Sequence, residues 1–442
     1  MKNILLIVVD CARAEKTTSK IDRATRLTER SARLPFLERL ERSGTTWTKM
    51  VSVSSTTTPN FASLFTGLNP VRHGIRSHSN DLLREDLATT PELLQRAGYH
   101  TFAEMTGPLI PESGLDRGFE GYRYRSREQY LHAGYFGVLR ELMASLPEPW
   151  FLCLHLWEAH KPYQNVAPYE GEEFGRTPYD RALSLVDHQL AELHADLDLE
   201  RTAVIYTGDH GERLPCDYEL NQALGGDELH VLETMRRFRR GRRGKPMDFE
   251  AWFEAAQQEL GEVRARIYAH NVMGHGFHLT EELTRIPLVI VDAGRFGAGE
   301  VRDGLAHQTD LHGTLLEIGG LERGEHFSLD ARIPDDRTVY VEANGSGGKQ
   351  YASRCFLRGA RDGRFKYWKI EGASVEHRVL WDLEQDPREI VNVHDAHPEV
   401  AARLDRFVDE ALTPDARLAP AAEVDAERAR KIEQRLRALG YL

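Results

Sequence analysis

SSTTTPNFASLFTGLNPVRHG runs from Ser54 to Gly74, and the other motifs of the chain fall into place around it. Three hydroxyl residues, Thr56, Thr57 and Thr58, lead into Pro59, which has no backbone N–H to give to a regular ladder. The apolar, helix-permissive segment Phe61–Phe65 follows and stops at Thr66-Gly67, where glycine suits the position just past a helix. A hydroxyl ahead of a helix N-terminus meets unpaired N–H groups and the positive end of a dipole, a setting made for a tetrahedral oxyanion. The same letters also suit a helix N-cap, where Ser and Thr are favoured for their own sake. The choice between the two turns on where Asp and His residues fall elsewhere.

Outward from this stretch, three apolar runs each end in polar, ligand-type residues. Ile4–Val9 reads as a buried strand of a parallel sheet and meets Asp10. Trp150–Leu156 is a second buried strand, with His160 shortly beyond it, and Thr202–Thr207 is a third, running into Asp209 and His210. Helical patterns at Leu34–Gly44, Thr90–Gly98, Tyr179–Leu199 and His307–Gly319 alternate with these runs and with strands at Thr45–Ser52, His100–Glu104 and Thr284–Val291, which gives an α/β architecture. In open α/β sheets ligands bind beyond the carboxyl ends of strands, so one such ending is unremarkable and three argue for a metal or phosphate site.

The chain has 442 residues, 41% hydrophobic and 29% charged, which describes a globular protein with a sizeable core. A net charge of −12 gives no general reason to expect nucleic acid or an anionic membrane as partner. The opening apolar run is too short for a signal sequence and meets Asp10 at once, no run is long enough to span a membrane, and the four cysteines show no zinc or CxxC spacing. A cytoplasmic, reduced protein is the expectation, and an oligomer is compatible with it. The pattern divides the chain into a catalytic domain over 1–320 and a smaller α+β unit over 321–442, with short strands, a helix at Pro398–Leu412 and a charged helical tail. An insertion over 215–271 carries the basic run Met235–Lys245, which reads either as a solvated loop or as a lid that attracts an anionic substrate.

These motifs, taken in order, resemble the sulfatase branch of the alkaline phosphatase superfamily nearly end to end. Val9–Glu15 resembles that family's opening strand and metal-binding aspartate, Thr57–Gly67 its nucleophile signature, and Pro70–Gly74 the continuation. His155–Tyr163 is similar to the strand bearing a substrate-binding histidine, here His160, and Thr207–Glu212 to the second metal-binding segment. Gly274–Val291 and Leu380–Asn392 match further segments. The resemblance implies a large, mostly parallel sheet flanked by helices, with a smaller C-terminal α+β domain.

The departures bear on the reaction. Sulfatases carry Cys or Ser at the nucleophile position and oxidise it to formylglycine, whereas alignment on Leu64 and Thr66-Gly67 puts Thr57 there. Oxidation of threonine gives a ketone, while unmodified threonine is the nucleophile type of the superfamily's phosphodiesterases and nucleotide pyrophosphatases. Phe61 stands where those sulfatases have Arg, Cys11 replaces a second aspartate, and His78 stands where related phosphodiesterases have Asn, with Asn80 close by. The resemblance thus implies a hydrolase of small phosphate-type esters (phosphodiester, phosphomonoester or phosphonate monoester) through a covalent phospho-threonine. A sulfate-ester hydrolase without formylglycine and a catalytically silent relative are the alternatives.

A hydroxyl of high pKa is ionised near neutrality by a bound dication. Asp10, Thr57, Asp209 and His210 supply three oxygens and one nitrogen, a set that suits Zn²⁺, Mn²⁺ or Fe²⁺ better than Ca²⁺. The non-bridging ester oxygens need donors, for which His160 and His275 are the candidates, with His78, Asn80 and His278 as further substrate contacts. For each of these histidines an ordinary core or surface position is the alternative. Glu158 and Glu212 are candidates for a second metal.

Overall fold

The computed structural model describes residues 1–21, 29–78, 81–126, 128–195, 197–214, 258, 275–276, 278–344, 356–371, 378–413 and 426–438. Asn80, the basic run 235–245 and all of the 215–271 insertion except Gln258 lie outside them.

A sheet of nine strands organises the larger part of the chain, and eight of them run in the order β4-β3-β5-β1-β6-β7-β2-β8. These are β1 (Asn3–Val9), β2 (Thr45–Val51), β3 (His100–Met105), β4 (Gly121–Tyr124), β5 (Trp150–Leu156), β6 (Thr202–Gly208), β7 (Arg285–Val291) and β8 (Val301–Arg302), with β9 (Ala306–His307) also paired to β2. β1 lies parallel between β5 and β6, and β7 is the antiparallel member, inserted between β6 and β2.

β1 is buried along its whole length, which explains why its sequence is continuously apolar rather than alternating. Ile4, Leu6 and Val8 face a core built with Phe61, Leu64 and Phe65 of helix α2 (Thr57–Thr66), Leu94 of α3 (Thr90–Arg96) and Leu311 and Leu315 of α6 (Asp310–Ile318). Leu5, Ile7 and Val9 face the opposite core, with Leu37 and Leu40 of α1 (Pro35–Ser43), Leu139 and Leu142 of α4 (Tyr135–Ser145) and Leu183, Val186 and Leu190 of α5 (Pro178–His194). Helices therefore cover both faces of a mostly parallel sheet.

A second, antiparallel sheet follows in the order β10 (Val339–Ala343), β11 (Phe356–Arg361), β12 (Phe365–Glu371) and β13 (Arg378–Asp382), with α7 (Pro398–Leu412) against it. The charged tail forms α8 (Ala426–Ala438), and its Ile432 and Leu436 pack on Ile110 at the rim of the larger sheet, where Arg428 and Arg435 bond Glu112. No helix among the described residues is long and apolar enough to cross a membrane.

Two elements differ from the sequence expectation in an instructive way. α2 begins at Thr57 rather than at Phe61, because the first turn of a helix has no use for the N–H that Pro59 lacks. The helix expected from His307 begins at Asp310, since Ala306–His307 pairs with β2 instead.

Candidate active site

The order β5-β1-β6 brings three strand ends side by side, so whatever follows them shares one space. Val9 pairs with Leu156 on one side and Gly208 on the other, which places Asp10 between the turn after β5 and Asp209. The backbone then turns sharply. Cys11 takes a left-handed φ of 62°, a conformation strained for a side-chain-bearing residue, and its N–H points at Asp209 Oδ1 3.1 Å away. The His210 N–H donates to the same oxygen at 2.7 Å. One carboxylate oxygen of Asp209 is thus fully engaged, while Oδ2 is buried without a hydrogen-bond donor.

Four groups alternate around a common centre. Asp10 Oδ1 lies 3.7 Å from His210 Nε2 and Asp10 Oδ2 lies 3.8 Å from His155 Nε2. Asp209 Oδ2 is 3.4 Å from His210 Nε2 and 3.7 Å from His155 Nε2. Both oxygens of Asp10, Oδ2 of Asp209 and Nε2 of His155 are buried with no hydrogen-bond partner. The remaining ring nitrogens are occupied: His210 Nδ1 is 2.7 Å from the Gly211 carbonyl, and His155 Nδ1 is 2.7 Å from the Thr106 hydroxyl. A carbonyl only accepts, so His210 carries its proton on Nδ1 and presents a lone pair at Nε2.

Unpaired carboxylates are costly to bury, and a dication is the group that two of them and two imidazoles would satisfy together. Asp10, His155 and Asp209, and likewise Asp10, Cys11 and His210, place their ligand atoms close enough to share an ion. The residues therefore fit the divalent metal that the sequence implies.

Thr57 enters from the other side. As the first residue of α2 it is buried, and its Oγ1 stands 3.3 Å from His210 Nε2. The N-cap position belongs to Thr56, which makes no side-chain cap bond, so capping does not account for the Thr57 hydroxyl. Asn60 fastens the helix in place: its Oδ1 accepts from the Ser54 N–H, and its Nδ2 donates to the carbonyls of Ser54 and Asp209. Past the other end of α2, Gly67 adopts φ 68°, and a Cβ there would sit 2.4 Å from His326 Nδ1.

A second group of side chains adjoins the first. His275 lies with its ring centroid 4.7 Å from that of His210 and 5.2 Å from that of His160. Its Nδ1 is 3.5 Å from Glu212 Oε1, and Lys161 Nζ is also 3.5 Å from that oxygen. Burial alone would lower the His275 pKa, but the adjacent Glu212 carboxylate outweighs it and raises the value. Burial would conversely raise Glu212, and His275 and Lys161 hold it well below the usual carboxylate range. For Asp209, too, burial is overcome by His210 and His155, and the carboxyl stays ionised far into acid. Burial lowers His160. His78 is pulled down to about 3 by burial and the neighbouring histidines, and its Nδ1 is 2.8 Å from the Thr58 hydroxyl.

Of the residues singled out in the sequence, Asp10, Thr57, Asp209, His210, His160, His275 and His78 come together at the carboxyl edge of the sheet. His278 is turned onto the second sheet, its ring 5.4 Å from Trp368 and 6.2 Å from Trp381, and its Nδ1 accepts the Leu279 N–H. Glu158, a candidate for a second metal in the sequence, is held by the Arg125 guanidinium and the Leu131 N–H. His155 was not among the expected residues. Its signal was present: it is the one histidine of an apolar strand, and Phe151 and Cys153 of the same parity face the core that α2 covers.

A mostly parallel sheet with a helix-borne hydroxyl, unpaired carboxylate oxygens and histidines gathered at its strand ends suits an ester hydrolase. The chain belongs to the sulfatase family, whose model, Sulfatase, matches residues 2–321. In structure it is similar to the phosphonate monoester hydrolase of Agrobacterium radiobacter, at 16% identity and a TM-score of 0.68 over 93% of this chain and 95% of that one. The phosphonate monoester hydrolase of Silicibacter pomeroyi aligns at 17% identity and a TM-score of 0.64, over 93% and 95% of the two chains. A 2-O GAG sulfatase aligns at 16% identity and a TM-score of 0.64, over 98% and 99%. No curated protein matches the chain in sequence.

Proposed function

We propose that the protein is a metal-dependent hydrolase of phosphate-type esters in which Thr57 is the nucleophile. The observation that carries this reading is the position of Thr57 Oγ1, at the positive end of α2 and 3.3 Å from His210 Nε2, beside the unpaired carboxylate oxygens of Asp10 and Asp209. A dication bound by Asp10, Asp209, His210 and His155 supplies the positive charge that lowers the pKa of a neighbouring hydroxyl. Zn²⁺, Mn²⁺ or Fe²⁺ suits this mixed oxygen and nitrogen set better than Ca²⁺.

Thr57 Oγ1 attacks phosphorus in line. The bond from phosphorus to the ester oxygen breaks, the alcohol departs, and a phospho-threonine remains until water hydrolyses it and restores the hydroxyl. His78, His160 and His275 border the same space and lie where the non-bridging oxygens of the ester would be held. The buried floor of the site keeps bulk water away from Asp10 and Asp209. The substrate class is a small anionic ester, with neither nucleic acid nor membrane as partner.

Sulfate-ester hydrolysis is the second reading, favoured by membership of the sulfatase family itself. Matched nitrophenyl phosphate, phosphodiester, phosphonate and sulfate, assayed with several divalent metals, separate the two. Phosphoryl turnover is expected, and Thr57→Ala should lower it at least about 10³-fold, as loss of a nucleophile does. Turnover confined to the sulfate ester, or equal rates in wild type and variant, would sink the proposal.

A further inference from the structure

Thr58 directly follows Thr57 in α2, and the reaction just described gives its hydroxyl no task. The side chain is buried, and among the described residues its Oγ1 makes one hydrogen bond, 2.8 Å from His78 Nδ1. That bond runs to another segment rather than to the backbone of the helix, so capping does not account for it. If Nδ1 carried the ring proton, the Thr58 O–H would be left buried with nothing to accept it. Thr58 therefore donates to Nδ1, and His78, which burial keeps neutral, carries its proton on Nε2. With Nδ1 turned onto α2, Nε2 is the nitrogen left to serve the space shared with His160, His210 and His275. The segment that carries His78 is held from two further directions. Asp81 Oδ2 accepts the Arg76 N–H at 3.0 Å, the Ser77 N–H at 2.7 Å and the Ser77 hydroxyl at 2.8 Å. Arg76 forks onto Glu342 of β10 at 3.2 and 2.9 Å, and the Glu342 N–H donates to the Val53 carbonyl, ahead of the turn that leads into α2. The nucleophile and His78 are thus tied to one strand of the second sheet.

We infer that Thr58 is a positioning residue: its hydroxyl fixes the His78 ring in the tautomer that offers a neutral Nε2–H to a non-bridging oxygen of the ester. The inference deepens the proposed reaction and rests on it for the oxygen that receives this N–H. Charge grows on the non-bridging oxygens as the ester reacts, and a donor oriented beforehand costs no reorganisation at that moment. Without the Thr58 O–H nothing holds the proton on Nε2. Once it moves to Nδ1, the ring turns a lone pair towards the oxygen and repels it. Two adjacent hydroxyls of α2 then have separate tasks, Thr57 to attack and Thr58 to aim a donor.

The test compares wild type with Thr58→Val, Thr58→Ser, His78→Leu and the double variant of Thr58→Val with His78→Leu, all full-length and loaded with Zn²⁺. Turnover is read with the matched nitrophenyl ester that wild type cleaves fastest. Thr58→Val keeps the shape of the side chain without its O–H and should lower kcat about 10-fold, whereas Thr58→Ser, which keeps the O–H, should stay near the wild-type rate. His78→Leu should lower kcat about 10²–10³-fold, as loss of one oxyanion donor does, and Thr58→Val should add nothing in that background because it acts through the ring. Bound Zn²⁺, counted by elemental analysis, should be the same in every variant. Nitrogen-15 spectra of histidine-labelled protein, with the His78 signals identified by their loss in His78→Leu, should place the proton on Nε2 in wild type and Thr58→Ser. Thr58→Val should show a mixture of the two tautomers. A proton on Nδ1 in wild type overturns the inference, as do additive effects of the two substitutions on kcat or loss of Zn²⁺ in Thr58→Val. The wild-type spectrum decides the tautomer even where Thr58→Val does not fold. It also needs no turnover, so failure of the nucleophile assignment, seen as an unchanged rate in Thr57→Ala, is read separately.

Discussion

At the scale of single residues, ligand-type side chains at strand ends are legible and those inside strands are not. Asp10, Asp209 and His210 each follow an apolar run, and the abrupt change of polarity marks them in the sequence. His155 lies inside such a run, and what sets it apart is parity, which puts it under α2 against Phe61 at a ring distance of 5.1 Å. His275 and His278 sit three residues apart in one segment, and nothing local separates them. Trp368 and Trp381, far along the chain, take His278 to the second sheet and leave His275 to the site. The prediction that belongs here concerns His155. His155→Gln removes a buried ring nitrogen 3.7–3.8 Å from both carboxylates, and Zn²⁺ affinity should fall about 10–100-fold in a chelator competition. The metal-free variant should melt below metal-free wild type, because the buried bond between Nδ1 and the Thr106 hydroxyl is lost, so the affinity is compared below both melting temperatures. Unchanged affinity would reduce His155 to packing.

At the scale of elements, the strands that carry the site were readable because a strand buried on both faces must be continuously apolar, as β1, β5 and β6 are. β4 and α4 were not readable: β4 is short and half-exposed, and α4 has a glycine within it and only Leu139 and Leu142 fully buried. The junction of α2 with β6 depends on one amide. Asn60 is fully buried and makes three hydrogen bonds, two to Ser54 and one to the Asp209 carbonyl, which tie the turn before the helix to the end of the strand. Asn60→Leu nearly preserves volume but strands the buried Ser54 N–H, a loss of about 1–3 kcal/mol, while the Ser54 and Asp209 carbonyls keep the donors they have from Ser52 and Gln308. The expected outcome is a clear drop in the urea midpoint together with loss of turnover, because Thr57 and Asp209 lose their common anchor. A variant with wild-type stability and activity would show that helix packing alone positions the nucleophile.

At the scale of the whole molecule, the second sheet reaches under the site. Lys366 of β12 is fully buried between Glu281 and Glu389, at 2.8 and 2.9 Å, and Arg361 of β11 forks onto Glu281 at 3.0 and 3.1 Å. These contacts hold the turn that follows His278, and they join residues some 80 positions apart, which no local pattern announces. The larger molecule also carries a built-in acid sensitivity, away from the ligand cluster. His73, His307 and His312 are buried, and burial pulls each pKa down from its ordinary value to about 3. Burial keeps each ring neutral: the Ile75 N–H donates to His73 Nδ1, while the Tyr340 and Phe65 carbonyls that His307 Nε2 and His312 Nδ1 reach favour the protonated form without overcoming burial. In the unfolded chain these histidines protonate near pH 6.5, so below that pH the unfolded state binds more protons than the folded state. Stability is therefore complete above about pH 6.5 and is lost as pH falls towards 3, by about 1.4 kcal/mol per pH unit for each of the three. Urea unfolding of the metal-free protein should show the midpoint falling steeply from pH 7 to pH 5. His307→Gln, though less stable at pH 7, should flatten that fall by one histidine's share. A midpoint that holds steady over this range, or a slope the variant leaves untouched, would mean that these rings accept a proton within the fold.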